Sequence, residues 1–414
     1  MTAKLPPPGR SAHDSWPSID VEALRAYRLT RVREQLRACD CAAAVLYDSI
    51  NLRYATGTSY MPVFGMHVEG RHAFVAADGP VILFDKPHML HLWPHAPVDA
   101  VRPAIAWRSV FAGPNVADNV KRWAREVYEL LTQHGGGNRR LAIDNCQPAA
   151  AFALRELGVE LIDAQEPMER ARAIKSSEEI DCLKLAIAVA ETGMARMQRA
   201  LQPGISENQL WSLLAQTNIE HGGEWLECRL LSSGSRTNPW LQEASDRLIR
   251  PGELVAFDTD MIGPFGYCAD LSRTFFCGPG SPSAEQRTLY GHAFEQLQHN
   301  VALMQPGTSL LEIASRAWPV PAKYRDQAYA FIAHGVGMCD EWPNAYQRER
   351  LLAQGEGETR LQAGMVMCVE SYIGEKGGRE GVKLEEQVLV TGSGYENLST
   401  YPFEAALLDA GGAS

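Results

Sequence analysis

Three acids stand close together in the middle of this chain, Asp258 and Asp260 followed by Asp270. The residues around them are apolar and strand-like, Leu254 to Phe257 before and Leu271 to Phe276 after. Burying an acid is costly unless it is paired or holds a metal. Three acids together also repel one another and drive their pKa values upward. The chemistry such a cluster can do is cation binding, with room for two ions. Asp258 and Asp260, two apart on a predicted strand, would leave on one face about 6–7 Å apart at Cα. That is within reach of ions about 3.5–4 Å apart, the spacing of a two-metal centre. Gly263, Pro264 and Gly266 predict a turn that folds Asp270 back beside the other two.

Three further candidates follow. His334 lies among small residues in Ala333 to Gly337. Glu370 closes the apolar run Met365 to Val369, and Glu385 sits in the strand-like run Val382 to Val390. Singly, a strand acid reads as a solvated edge residue and a lone histidine as a structural one. The combination and its order carry the weight.

These residues need a scaffold, and 414 residues predict two domains. Residues 1–18 are polar and Pro-rich with no apolar signal core, so a loose tail is expected there. Residues 19–170 alternate helix and strand signals and predict a compact α/β domain. Val21 to Ala38 has helical spacing and Ala42 to Tyr47 is a short apolar strand. Ala73 to Ala77 and Val81 to Phe84 flank an Asp78-Gly79-Pro80 turn, which predicts a hairpin. Val116 to Gln133 predicts a helix ending before Gly135 to Gly137, a loop with none of the companions of a phosphate cradle. Residues 171–414 begin with a capping box, Ser176 against Glu179, which opens a long helix to about Leu201. Another helix is expected from about Glu207 to Glu220, and strands dominate after Leu361.

Composition narrows the function. Hydrophobic residues make up 45% of the chain and support a true core, and the formal charge of −11 argues against a nucleic-acid partner. No run is apolar and long enough to span a membrane. The nine cysteines are scattered without a CxxC pair, which fits buried thiols in a reducing cytoplasm. His88, His91 and His95 have inviting spacing but no acids nearby, and read as surface residues.

From about Arg170 onward the chain resembles the pita-bread metallopeptidases: Xaa-Pro aminopeptidase, prolidase, methionine aminopeptidase and creatinase. The matching pieces are Arg172 to Glu179, Phe257 to Asp260, Ala269 to Phe275, His334 to Gly337, Gly364 to Glu370 and Val382 to Glu385. The resemblance implies a creatinase-like α/β N-terminal domain before an α+β pita-bread catalytic domain, with Asp258 or Asp260, Asp270, His334, Glu370 and Glu385 as metal ligands. It also implies a homodimer.

The chain departs from the peptidases in two respects. They have two aspartates eleven apart, whereas here the gaps are twelve and ten, with an acid added. Two histidines that peptidases use on the substrate are missing, where this chain reads Arg236 to Trp240 and Met338 to Trp342. The same departures resemble one offshoot, the dimethylsulfoniopropionate (DMSP) lyases. The likeness runs through Gly222 to Trp225, Arg236 to Trp240, His334 to Pro343, Gly394 to Leu398 and Tyr401 to Phe403.

This likeness implies six metal ligands: Asp258, Asp260, Asp270, His334, Glu370 and Glu385. Five carboxylates against two divalent ions would leave the site slightly anionic. Oxygen-rich ligands suit Fe, Mn, Co or Zn, and the resemblance favours iron. It further implies a β-elimination on a small cationic carboxylate, with Asp340 as the general base. Tyr329, Trp240 and Phe64 would be pocket aromatics holding the sulfonium by cation–π attraction. Phe64 stands where the lyases carry a tryptophan, a better partner for a cation. Two other readings stay open: an Xaa-Pro dipeptidase or aminopeptidase, and a non-catalytic binding protein on the same fold.

Overall fold

The computed structural model describes residues 19–68 and 70–408; the tail expected over 1–18 lies outside them. The chain divides into two compact units, Asp20–Arg172 and Ala173 onward.

The N-terminal unit is built on a six-stranded sheet. Its strands are β1 (Ala43–Leu46), β2 (His72–Ala76), β3 (Val81–Asp85), β4 (Ala100–Pro103), β5 (Arg140–Ile143) and β6 (Glu160–Asp163), in the order β4-β3-β2-β1-β5-β6. β2 and β3 form the expected hairpin across Asp78-Gly79-Pro80. The helix Val116–His134 buries Val120, Trp123, Val127 and Leu131 against this sheet. Asp20 caps the first helix, Val21–Ala38, by accepting from the backbone N–H groups of Glu22 and Ala23.

One buried group here sets a pH limit. His72 is 2% exposed and lies between Tyr47 and Phe84, with ring centroids 4.6 Å from each. Burial pushes its imidazole down to about 3. An unfolded histidine titrates near 6.5, so the stability from keeping His72 neutral is complete above that pH. It is lost as pH falls below 6.5, by about 2–3 kcal/mol at pH 4.5. Thermal melts between pH 7 and 4.5 should show a steeper drop for the wild type than for His72→Phe. Parallel drops would remove His72 as the cause.

In the second unit, capping boxes start four helices: Ser177–Ala200, Glu207–Glu220, Ala284–Val301 and Leu310–Arg316. The strands are β7 (Trp225–Leu226), β8 (Leu231–Ser233), β9 (Leu254–Asp258), β10 (Met261–Ile262), β11 (Cys268–Ala269), β12 (Ser272–Phe276), β13 (Phe331–Val336), β14 (Asp340–Tyr346), β15 (Val366–Gly374), β16 (Gly381–Val390) and β17 (Tyr395–Asn397). They form three sheets, ordered β11-β10-β7, β12-β9-β8 and β14-β13-β15-β16-β17. Side chains alternate across a strand, and β15 and β16 use both faces. Met367, Val369 and Ile373, with Val382, Leu384 and Val388, pack on Leu289, Tyr290, Ala293 and Leu297 of the helix Ala284–Val301. The opposite faces are left for polar work.

Candidate metal centre

That opposite face carries three cross-strand pairs: Cys368 with Gln387, Glu370 with Glu385, and Tyr372 with Lys383. Two carboxylates directly opposite one another destabilise a sheet, so the Glu370–Glu385 pair calls for a cation. β9 ends at Asp258 and pairs with Ser272 on β12. The strand does not run through to Asp260, as the sequence predicts. Asp260 has φ 35, a left-handed turn conformation between β9 and β10. Alternation along a strand therefore does not place the pair; a turn does. The Gly263 to Gly266 turn behaves as expected. It folds β11 back antiparallel on β10 and delivers Asp270.

The ligand atoms of Asp258, Asp260 and Asp270 lie within 4.8 Å of one another, and so do those of Asp258, Glu370 and Glu385. A third such group joins Asp270, His334, Cys368 and Glu385. Asp258, Asp270 and Glu385 each belong to two of these groups, the overlap expected of shared carboxylates. All six sequence-predicted ligands are thus brought together. His334 turns Nε2 toward Asp270 (3.4 Å), Glu370 (3.5 Å) and Glu385 (3.8 Å), while Nδ1 is 3.1 Å from the Gly335 carbonyl oxygen. An Nδ1–H donated there leaves Nε2 free as a ligand atom.

The donor set fits divalent metals. Asp258 Oδ1, Asp270 Oδ1 and Glu385 Oε1 are buried without a hydrogen-bond partner. Unmet acceptors of this kind are costly unless a cation takes them. Burial and the neighbouring charges of Glu385 and Asp260 hold Asp270 far above the usual carboxylate range, and burial with Asp258 and Glu370 does the same for Glu385. Burial and Asp258 raise Asp260 to about 7. For Asp258 burial pushes up, but the Lys383 ammonium wins and draws it down to about 2.

Lys383 is the residue that sequence reasoning missed. Fully buried, its Nζ lies 2.9 Å from Asp258 Oδ2, 2.5 Å from Glu370 Oε2 and 2.9 Å from Glu385 Oε2, and it donates to Ser272 Oγ at 2.6 Å. It supplies the unit of positive charge by which five carboxylates exceed two divalent ions. Cys368, the residue two before Glu370, also went unseen. Period-2 alternation from Glu385 and Glu370 points to both.

Two of the three aromatic residues face a cation of the protein itself. Tyr329 and Trp240 present their rings 5.3 and 5.9 Å from Lys383 Nζ, so a resident cation already shares them. Trp240 is buried and stacked on Tyr372, whose hydroxyl donates to the Thr237 carbonyl at 2.9 Å. Phe64 belongs to the N-terminal unit, where Lys86 Nζ lies 4.6 Å from its ring centroid.

Asp340 starts β14, across the hairpin from Val336. Its Oδ1 is 3.8 Å from His334 Nδ1, and 61% of its side chain is open to solvent. The hairpin is held from behind. Glu341 is buried, paired with Lys175 at 3.0 Å and accepting from Met338 N at 3.0 Å. A Cβ at Gly337 would strike the Glu341 carboxylate, which explains the glycine there. Among the described residues His88, His91 and His95 join no cluster of metal-binding groups, and all three are exposed. The nine cysteines are free thiols.

Comparison with known proteins agrees with this geometry. Residues 181–392 match metallopeptidase family M24, and residues 28–174 match the creatinase/prolidase N-terminal domain. The dimethylsulfoniopropionate lyase DddP of Roseovarius nubinhibens is 36% identical over 397 residues, covering 94% of this chain and 88% of that one. DddP of Roseobacter denitrificans is 35% identical over the same shares. An uncharacterized peptidase of Bacillus subtilis, YqhT, is 32% identical over 68% of this chain and 82% of its own. The fold matches a prolidase from Thermococcus sibiricus (TM-score 0.74, 20% identity, 94% of this chain and 99% of that one). It likewise matches an Xaa-Pro dipeptidase from Bacillus anthracis (TM-score 0.72, 21% identity, 92% and 99%). Family M24 is a family of divalent-metal enzymes. A creatinase-type N-terminal domain, a pita-bread catalytic domain with a cluster of metal-binding groups, and near full-length identity above 30% all agree: the chain belongs to metallopeptidase family M24 and, within it, to the DddP family.

Proposed function

We propose that this enzyme is a lyase that cleaves dimethylsulfoniopropionate, or a closely similar onium carboxylate, to dimethyl sulfide and acrylate. The carrying observation is Asp340: a solvent-accessible carboxylate beside the acid cluster but outside its metal-binding groups. Asp258, Asp260, Asp270, His334, Glu370 and Glu385 would hold two divalent ions, with iron the favoured metal. When bound, the ions supply Lewis-acid stabilisation of the substrate carboxylate and of the charge that develops on it.

The chain's own residues do the rest. Asp340 takes the proton from the carbon next to the carboxylate, the electrons of that C–H bond form the new C=C bond, and the C–S bond breaks with its pair leaving on sulfur. Partial desolvation raises the Asp340 carboxyl above the usual carboxylate range, His334 opposes this, and the charges of Asp258 and Glu370 add to the rise, which makes it a more effective base. Tyr329, half-buried, offers its ring to the sulfonium, while Trp240 acts through Lys383. The free thiols support a reducing cytoplasm, and the family resemblance supports a homodimer.

Headspace assay of metal-loaded protein tests the reading; release of proline from Xaa-Pro dipeptides without dimethyl sulfide from DMSP would replace it with the peptidase. Glu385→Gln should lose bound metal and at least ~100-fold in activity, as severe ligand-sphere losses do. Metal analysis alongside the assay checks this, and full metal occupancy in the variant would take Glu385 out of the ligand set.

A further inference from the structure

We propose that the N-terminal unit carries a second ligand site, a cavity that takes a small aromatic carboxylate. The cavity measures about 260 Å³ and is walled by Tyr47, His72, Ile105, Trp107 and Phe111. An apolar cavity of ~150 Å³ already accommodates benzene, so this one has room for a two-ring body. It lies wholly within the unit Asp20–Arg172.

Two observations mark it as more than a packing gap. His72 Nδ1 is buried without a hydrogen-bond partner, on a residue 2% exposed. A ligand oxygen or a water at that atom would answer it, because an unmet buried polar atom is costly. The charge of the lining is also one-sided. Lys86, His88 and Arg108 line the cavity, and no acid does among the described residues. In a chain of net charge −11 such a lining is complementary to an anion.

Lys86 supplies the specific partner. Its ammonium sits over the rings of Phe64 (4.6 Å) and Phe111 (5.1 Å), with no carboxylate partner among the described residues. The neighbouring acid, Asp85, is taken: it accepts from Trp93 Nε1 at 2.7 Å and lies 3.7 Å from Arg71. A carboxylate at the mouth would pair with Lys86, and the flat ring behind it would lie among Tyr47, His72 and Trp107.

Calorimetric titration of the full-length, metal-loaded protein with 2-naphthoate tests the site. Saturable one-to-one binding is expected. Lys86→Met should weaken it about tenfold or more, the worth of a charge-assisted bond, and the neutral twin 2-naphthamide should bind as weakly. Ala104 also lines the cavity, and Ala104→Phe, which fills it, should abolish binding without changing the far-UV circular dichroism. The metal-site variant Asp258→Asn should bind 2-naphthoate like the wild type, so this site stands or falls apart from the lyase reading. Absence of saturable binding, equal affinity for the amide, binding that survives Ala104→Phe, or binding lost in Asp258→Asn would each overturn the proposal.

Discussion

Replacing Asp340 with asparagine should lower dimethyl sulfide release by roughly 10²–10⁴-fold, the contribution of a positioned general base. Bound metal and melting temperature should stay at wild-type values. The side chain makes this separation testable. It is 61% exposed, lies 3.8 Å from His334, and belongs to none of the metal-binding groups. Asparagine keeps the shape and loses the ability to take a proton. The backbone that presents it is anchored by its neighbour, through the buried Glu341–Lys175 pair, so the variant leaves the hairpin in place. Turnover and metal content should be measured on the same preparation. A variant that loses metal along with activity would make Asp340 a ligand and leave the base unassigned.

Lys383→Met should have the largest effect on stability. Removing one partner of a buried ion pair typically costs about 3–5 kcal/mol, because the remaining charge is left uncompensated. Here three carboxylates would be left around one vacated position: Asp258, Glu370 and Glu385. For a unit of this size that predicts a fall of roughly 10 °C in the melting temperature of metal-free protein. Divalent ions can neutralise the same acids, so the metal-loaded variant should fall much less. Melting curves of wild type and variant, each with and without metal, give the comparison. An equal drop in both forms would mean that Lys383 fills space rather than balances charge.

Much of this site was legible in the sequence because its ligands sit in short, strongly patterned segments. The Gly263–Gly266 turn and the Ser176–Glu179 capping box are local devices, and both form as their residues dictate. Lys383 was hidden by the ordinary rule that a lysine in a strand faces water. What overrides the rule is the pairing of β15 with β16, which sets Glu370 against Glu385 and puts the lysine one step along the same face. The two-residue step from Glu385 marks the shared face, but only this long-range pairing shows that the face is buried. Asp260 joins the cluster as expected, but its place on the strand was misread for a local reason. Two acids at a spacing of two imitate strand alternation, but the strand stops at Asp258 and a left-handed turn takes over. The aromatic residues were placed by resemblance, and resemblance does not reveal that Lys383 already faces the rings of Tyr329 and Trp240.

The turn at Asp260 also bears on how such a centre changes over time. Asp258, Glu370 and Glu385 are rungs of paired strands, and moving any one of them shifts the register of its neighbours. Asp260 lies in the turn outside the named strands, its carbonyl accepting from Glu227 N at 2.9 Å. An acid can be gained or lost at that turn by single substitution, with the sheets left as they are. The scaffold can therefore explore a different ligand number, and with it a different reaction, through one residue at a time.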